Sequence, residues 1–331
     1  MERPDSVIKH FEIPDFTFQD GTTLPAVQLA YLDLNPAASK VAVVSTCFRG
    51  RLHSTQTFAN GALRNHRIIV VGLFGNGESS SPSNVSGFPK AVDYRDCVQA
   101  QHELLTKHLN VGSIDVVMGF SMGGQNAYYW AVMYPDIVKH AAIICSSART
   151  SGHNYQFLEG PSAALENSWD FETGKPTAPR GIMAFSKAYS AWLTSAEWFD
   201  QERYKDLGYE TLSDWDTTIT GSNDEGWHPD DLLVMLRMWQ KGNISVCRGD
   251  AKGDANVSLE QTLSSIRARI LLMPSRTDQY FRFEASAREV QHLKNAVLEV
   301  IPSVWGHMAG GGINPLDNAW MDEKLVSLLE S

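Results

Sequence analysis

Long apolar runs are missing from this 331-residue sequence: nothing approaches the roughly 18 consecutive apolar residues of a membrane span. Its opening segment, MERPDSVIKHFEIPDF, holds no stretch resembling the core of a secretory leader. These absences predict an intracellular, cytoplasmic chain. Asn-X-Ser sequons at Asn84, Asn243 and Asn256 are therefore read as incidental. Cysteine is scarce. Cys47, Cys97, Cys145 and Cys247 stand apart without CxxC spacing, which suggests neither a zinc site nor a disulfide framework. Positive charge is thin as well, with 28 Lys and Arg against 38 Asp and Glu for a net charge of −10. That surface repels a nucleic-acid backbone and an anionic bilayer alike, so neither is expected as a partner. With 43% hydrophobic and 20% charged residues, disorder and fibrous repeats are excluded.

What is present has a rhythm. Residues 40–46, 67–73, 114–118 and 140–145 are compact runs rich in Val and Ile, separated by helix candidates at Tyr94–His108 and Gly123–Met133. Strands buried on both faces read this way, and their alternation with helices predicts a doubly wound, mostly parallel α/β sheet. The pattern stops near Arg149 and returns at 269–274 and 297–301, with a closing helix at Trp320–Leu329. Residues 1–149 and 255–331 are thus expected to form one core, interrupted by a helical cap over 150–254 with loops at Thr173–Arg180 and Thr220–Asp231. Six of the nine tryptophans fall inside this cap, where they could build its own small core or line a pocket for an apolar or ring-bearing substrate.

Directly after the run at 114–118 comes Gly119-Phe120-Ser121-Met122-Gly123, followed by a helical stretch. G-x-S-x-G between a strand and a helix is the setting in which a sharp turn exposes a serine Oγ at a helix N-terminus. Glycine is required where the chain segments crowd, and Ser121 becomes the candidate nucleophile.

A base and an acid should follow in the order Ser, Asp or Glu, His. His307 lies in the glycine-rich loop PSVWGHMAGGG after the last strand, whereas His292 in AREVQHLKN has the spacing of an amphipathic helix. Asp278 sits just past the strand at 269–274 and could orient the imidazole or cap the following helix. Asp250 and Asp254 precede that strand and fit less well. Oxyanion donors are expected at the backbone N–H of Met122 and in the loop Cys47-Phe48-Arg49-Gly50, with Phe48 as the choice. Arg149, near the cap boundary, could hold a carboxylate or form an ion pair between core and cap, and Arg49 has the same ambiguity. Trp305, beside the expected base, is a further candidate for substrate contact. The glycine-rich segment Phe74–Glu78 lacks a phosphate-binding pattern and reads as a structural turn.

Together, GFSMGGQNAYYWAVMYPD, CSSART, PSRTDQYF and the WGH segment resemble the homoserine O-acetyltransferase branch of the α/β-hydrolase superfamily. The resemblance implies Ser121, Asp278 and His307 as a catalytic triad, Phe48 as an oxyanion donor, and a homodimer through the cap. Members of that branch are acyl-CoA-dependent acyltransferases and ester hydrolases. Two departures bear on the choice. Homoserine-using members carry Asp directly after the catalytic His, where this chain has Met308. They also carry an Arg-Phe-Asp-Ala-Asn run whose loose counterpart here is His228-Pro229-Asp230-Asp231-Leu232. A zwitterionic acceptor would leave buried charges unpaired at such a site. The expected activity is therefore hydrolysis of a small or medium acyl ester without cofactor or metal. Acyl transfer to another acceptor, with acetyl-CoA as co-substrate, is the alternative.

Overall fold

The Val- and Ile-rich runs become the middle of one sheet. The computed structural model describes residues 7–174, 177–221, 226–248 and 257–330. Its strands are β1 (Lys9–Thr17), β2 (Thr23–Leu34), β3 (Lys40–Ser45), β4 (His66–Val71), β5 (Ile114–Phe120), β6 (Val138–Ile144), β7 (Arg269–Met273) and β8 (Ala296–Leu298). They line up in the order β1-β2-β4-β3-β5-β6-β7-β8. The two pairings that involve β2 are antiparallel and the rest are parallel. All residues of β5 up to Gly119 are buried, as a strand covered on both faces requires.

Helices cover both faces. They are α1 (Tyr94–Glu103), α2 (Met122–Met133), α3 (Gly152–Glu166), α4 (Trp169–Glu172), α5 (Pro179–Ser190), α6 (Ala196–Asp200), α7 (Leu212–Gly221), α8 (Pro229–Gln240), α9 (Leu259–Ser265), α10 (Phe283–Glu289) and α11 (Pro315–Leu329). One face of the sheet, with Val43, Ile69 and Val117, packs with Val98 of α1 and Trp130 of α2. The other face, with Val44, Val70 and Met118, packs with Met321, Leu325 and Leu328 of α11. None of the described helices is long and apolar enough to cross a membrane.

Several boundaries differ from the expectation for local reasons. The antiparallel hairpin β1–β2 adds two strands, closed by a turn at Asp20-Gly21. The first helix ends at Glu103 and is followed by one wider π turn over Leu104–His108. The last helix begins at Pro315 rather than Trp320, because Asn314 caps it by accepting from the Leu316 N–H at 3.1 Å and proline suits the first helical position. Beyond β8 the chain stays paired to the sheet, with Ile301 N–H donating to the Pro274 carbonyl at 2.9 Å.

Between β6 and β7 the described residues form helices α3 to α9, with Arg149 and Asn243 bridging the two ends of this insertion. Parts of both expected loops, the carboxylates Asp250 and Asp254, Asn256 and the expected boundary at residue 254 lie outside the described residues. Three of the insertion's tryptophans are buried in its packing: Trp198 lies against Trp215 at 5.3 Å between ring centres, and Trp239 against Phe281 at 5.4 Å.

Glu289, the last residue of α10, ties α2 to the segment that leads into the insertion. Its carboxylate accepts from Ala148 N–H and from the Tyr128 hydroxyl, each at 2.8 Å. Burial pushes this carboxyl from an ordinary 4.5 up to about 7. The folded protein then holds a proton that the unfolded chain releases, so this group's contribution to stability is lost as pH rises from about 4.5 through about 7. Glu289→Gln keeps an acceptor for Ala148 and gives Tyr128 a donor in place of the carboxylate. Its melting temperature relative to the parent should therefore climb between pH 5 and pH 8, by the equivalent of up to roughly 3 kcal/mol. Calorimetry showing a flat difference across that range would refute the assignment.

Candidate active site

The turn after β5 is built by crowding. A Cβ on Gly119 would stand 2.2 Å from the backbone carbon of Gly123, and one on Gly123 would stand 2.5 Å from the Ser45 carbonyl oxygen. Only glycine fits at both places, so the G-x-S-x-G spacing follows from the path of the chain. Between them Ser121 takes φ 59° and ψ −123°, a strained conformation held by its neighbours. Ser121 N–H donates to the Ile144 carbonyl at 2.9 Å. The Ser121 carbonyl accepts from Gly124 N–H, Gln125 N–H and the Ser146 hydroxyl, the last at 2.7 Å. Asn126, one turn into α2, donates to Ser45 Oγ at 2.7 Å and to Gln101 at 2.9 Å, fixing the helix against β3 and α1.

Asp278 and His307 come from the loops after β7 and β8, beyond β6 in the sheet order. Asp278 follows β7, and its Oδ1 accepts from the amides of Tyr280 at 3.1 Å and Phe281 at 3.0 Å. That leaves Oδ2 for His307, whose Nδ1 lies 2.6 Å away, with both side chains buried. A proton fixed on Nδ1 by this bond leaves Nε2 as the basic nitrogen. The ring of His307 sits among Phe120, Tyr280 and Phe281, at 4.5, 4.4 and 5.7 Å between centres. These rings confine the imidazole. Gly306 is required just before it: φ is +58°, and a Cβ would lie 2.3 Å from the backbone carbon of Thr194. The loop is pinned further by Gly306 N–H to Thr277 Oγ1 at 3.0 Å and Met308 N–H to the Leu193 carbonyl at 3.0 Å.

Ser121 and His307 line one cavity of about 300 Å³, together with Phe48, Arg49, Tyr189, Leu193 and Met308. Met122 opens α2, where the first amides of a helix have no intrahelical acceptor and point outward. The Phe48 ring is stacked away on Tyr189 at 5.9 Å and packed on Trp239 at 5.8 Å. Arg49, at φ 57°, carries the loop round beside it.

The other candidates for substrate contact lie elsewhere. Arg149 is exposed and is not among the residues lining the cavity; its backbone bridges to Asn243 and its charge acts on Glu289 and Glu260. Trp305 is buried in the core with its ring 6.0 Å from Trp198, also off the cavity lining. None of the insertion's six tryptophans lines this cavity; Trp198, Trp215 and Trp239 are buried in packing, whereas Trp169 is exposed. His228 caps α8, and Asp231 accepts from Ser83 N–H at 2.9 Å and Ser83 Oγ at 2.6 Å. Phe74–Glu78 is a turn in which the Asn76 side chain accepts from the amides of Glu78 and Ser79.

Reading the sequence missed the support for this geometry: Ser146 on the nucleophile's carbonyl, Thr277 beneath the histidine loop, and the aromatic enclosure of His307. Ser146 lies in the CSSART segment directly after β6, and Tyr280 and Phe281 lie in PSRTDQYF, so both short segments carried a signal. Cys145 Sγ also comes within 4.8 Å of ligand atoms of Asp278 and His307. Burial first, and Asp278 second, raise its thiol well above the ordinary range, so it stays protonated. With both Asp278 oxygens already accepting hydrogen bonds, the set suits an acid–base pair better than a cation site.

The protein-family model for the alpha/beta hydrolase fold matches residues 47–310. An ethyl acetate hydrolase of Pseudomonas veronii is 32% identical over 330 residues, covering 95% of this chain and 93% of that protein. The solved structure of the acetyl esterase MekB superposes with a TM-score of 0.90 at 30% identity, over 99% of this chain and 98% of the other. A homoserine O-acetyltransferase of Methanobrevibacter ruminantium is 26% identical over 370 residues, covering 96% of this chain and 74% of that protein.

Proposed function

The chain belongs to the α/β-hydrolase fold family, and from that premise we propose that it hydrolyses carboxylic esters of small or medium acyl groups through an acyl-serine at Ser121. The observation that carries the reading is the meeting, in one cavity, of a strained serine turn, a histidine bonded to a buried carboxylate, and the start of a helix. His307 Nε2 takes the proton of Ser121 as Oγ bonds to the ester carbonyl carbon. The N–H groups of Met122 and Phe48 hold the negative oxygen. Collapse breaks the bond to the alcohol oxygen, which leaves with the proton from His307. Water, deprotonated by the same nitrogen, then attacks the acyl carbon and releases the acid and the free serine. Asp278 keeps the ring in register and stabilises its positive form.

Hydrolysis and acyl transfer can proceed through the same acyl-serine, so the deciding event is what reaches it. Met308, in the cavity wall at the position following the histidine, offers no charge to hold an amino group. This favours water over homoserine as acceptor. In buffer without CoA or added alcohol, the enzyme should release p-nitrophenol from p-nitrophenyl acetate or butyrate over many turnovers. A single stoichiometric burst that becomes turnover only when an alcohol is added would overturn hydrolysis in favour of acyl transfer. The same reading makes a small ester the partner molecule.

A further inference from the structure

The cavity does not stop at the nucleophile. Its lining takes in an arm formed by Val44, Ile68 and Met118 of the sheet and by Phe58, Ala59 and Leu63 of the turns before β4. The sheet register gives its depth. Ser45 is level with Val71 and Ala42 with Ile68, so Ile68 lies three residues below the end of β4, or about 10 Å at the rise of a strand. Val44 pairs with Met118, itself three residues before Ser121. These six side chains are apolar, while Ser54, Thr55, Gln56 and Thr57 of the same turns line the cavity beside them.

The direction of this arm assigns its occupant. Asp278 and His307 follow β7 and β8, on one side of β5, and His307 must protonate the departing alcohol. The arm runs to the other side, under β3 and β4. The alcohol therefore leaves on the histidine side, and the group that points down the arm is the acyl chain. An acetyl methyl would reach only the top of this space and leave water against apolar walls, which is unfavourable.

Resting on the reading of Ser121 as the nucleophile, we propose that the arm is an acyl-chain pocket selecting straight chains of about four to eight carbons, so that the preferred substrates are medium-chain rather than acetyl esters. Each methylene moved from water into such walls is worth about fourfold in kcat/KM (~0.8 kcal/mol). Ala59, Leu63 and Ile68 all belong to the wall of this arm.

The test is a series of p-nitrophenyl esters from acetate to octanoate, run beside alkylphosphonate p-nitrophenyl esters of matching chain length, which label Ser121 without turnover. For the parent enzyme, kcat/KM and labelling rate should both rise about tenfold or more from the two-carbon to the six-carbon chain. Ala59→Leu should cut the six-carbon to two-carbon ratio by about tenfold, and Leu63→Ala should move the optimum to longer chains. Rates that fall steadily from acetate, or substitutions that change every chain length equally, would overturn the acyl pocket. Labelling that rises with chain length while no ester is turned over would uphold the pocket and remove hydrolysis. No labelling at any length would remove the nucleophile and the pocket with it.

Discussion

Ser121→Ala should lower kcat for a p-nitrophenyl ester by about 10⁶-fold, because the covalent route disappears and only binding and the backbone donors remain. The residual rate should still exceed the reaction in water by roughly 10³-fold, since the cavity and the amides of residues 48 and 122 are untouched. The replacement adds no atom to the crowded turn and keeps the carbonyl that accepts from Ser146. Its melting temperature should therefore stay near that of the parent. Steady-state kinetics, together with loss of fluorophosphonate labelling read by mass spectrometry, checks both halves. Activity within tenfold of the parent would mean that another nucleophile operates, and no part of the acyl-serine route would survive.

The second large effect is expected at Asp278. In Asp278→Asn the oxygen that accepts from Tyr280 and Phe281 can remain in place, which orients the new NH₂ group toward His307 Nδ1. Two donors cannot face each other there. The imidazole must then carry its proton on Nε2, where it cannot take one from Ser121. The cost should be about 10⁴-fold in kcat, or ~5 kcal/mol, with KM little changed because the Asp278 side chain is not part of the cavity wall. A merely structural carboxylate would give the reverse, with loss of folded protein and unaltered kcat in what remains. Thermal denaturation alongside the kinetics separates the two.

The sheet's centre and the tight turn at Ser121 were legible because both are dictated by local rules. Strands covered on both faces must be continuously apolar, and the turn after β5 excludes any Cβ at positions 119 and 123. Asp278 and His307 were legible from chain order and from the loops they occupy. The β1–β2 hairpin was less visible, since β1 is an edge strand in which only Ile13 and Phe16 are buried, although Asp20-Gly21 is a strong turn signal. Arg149 and Trp305 show where proximity in sequence misleads. Each neighbours a functional segment, yet Arg149 is directed to the surface by the strand-like pairing with Asn243, and Trp305 turns into the core against Trp198. Side-chain direction depends on packing from distant segments, and no spacing rule supplies it. The arm of the cavity escaped notice for the same reason, because its walls come from three strands and a run of turns between residues 54 and 63.

The histidine loop is stitched to the insertion along a short seam. Met308 N–H donates to the Leu193 carbonyl, Ser195 Oγ to the Val304 carbonyl, and the Gln279 amide to the carbonyls of Ala191 and Thr194. A door hung on those bonds cannot swing without dragging His307 along with it. Chimeras that exchange this region between relatives should therefore keep residues 191–195 native to the recipient scaffold, and place the crossover points outside them.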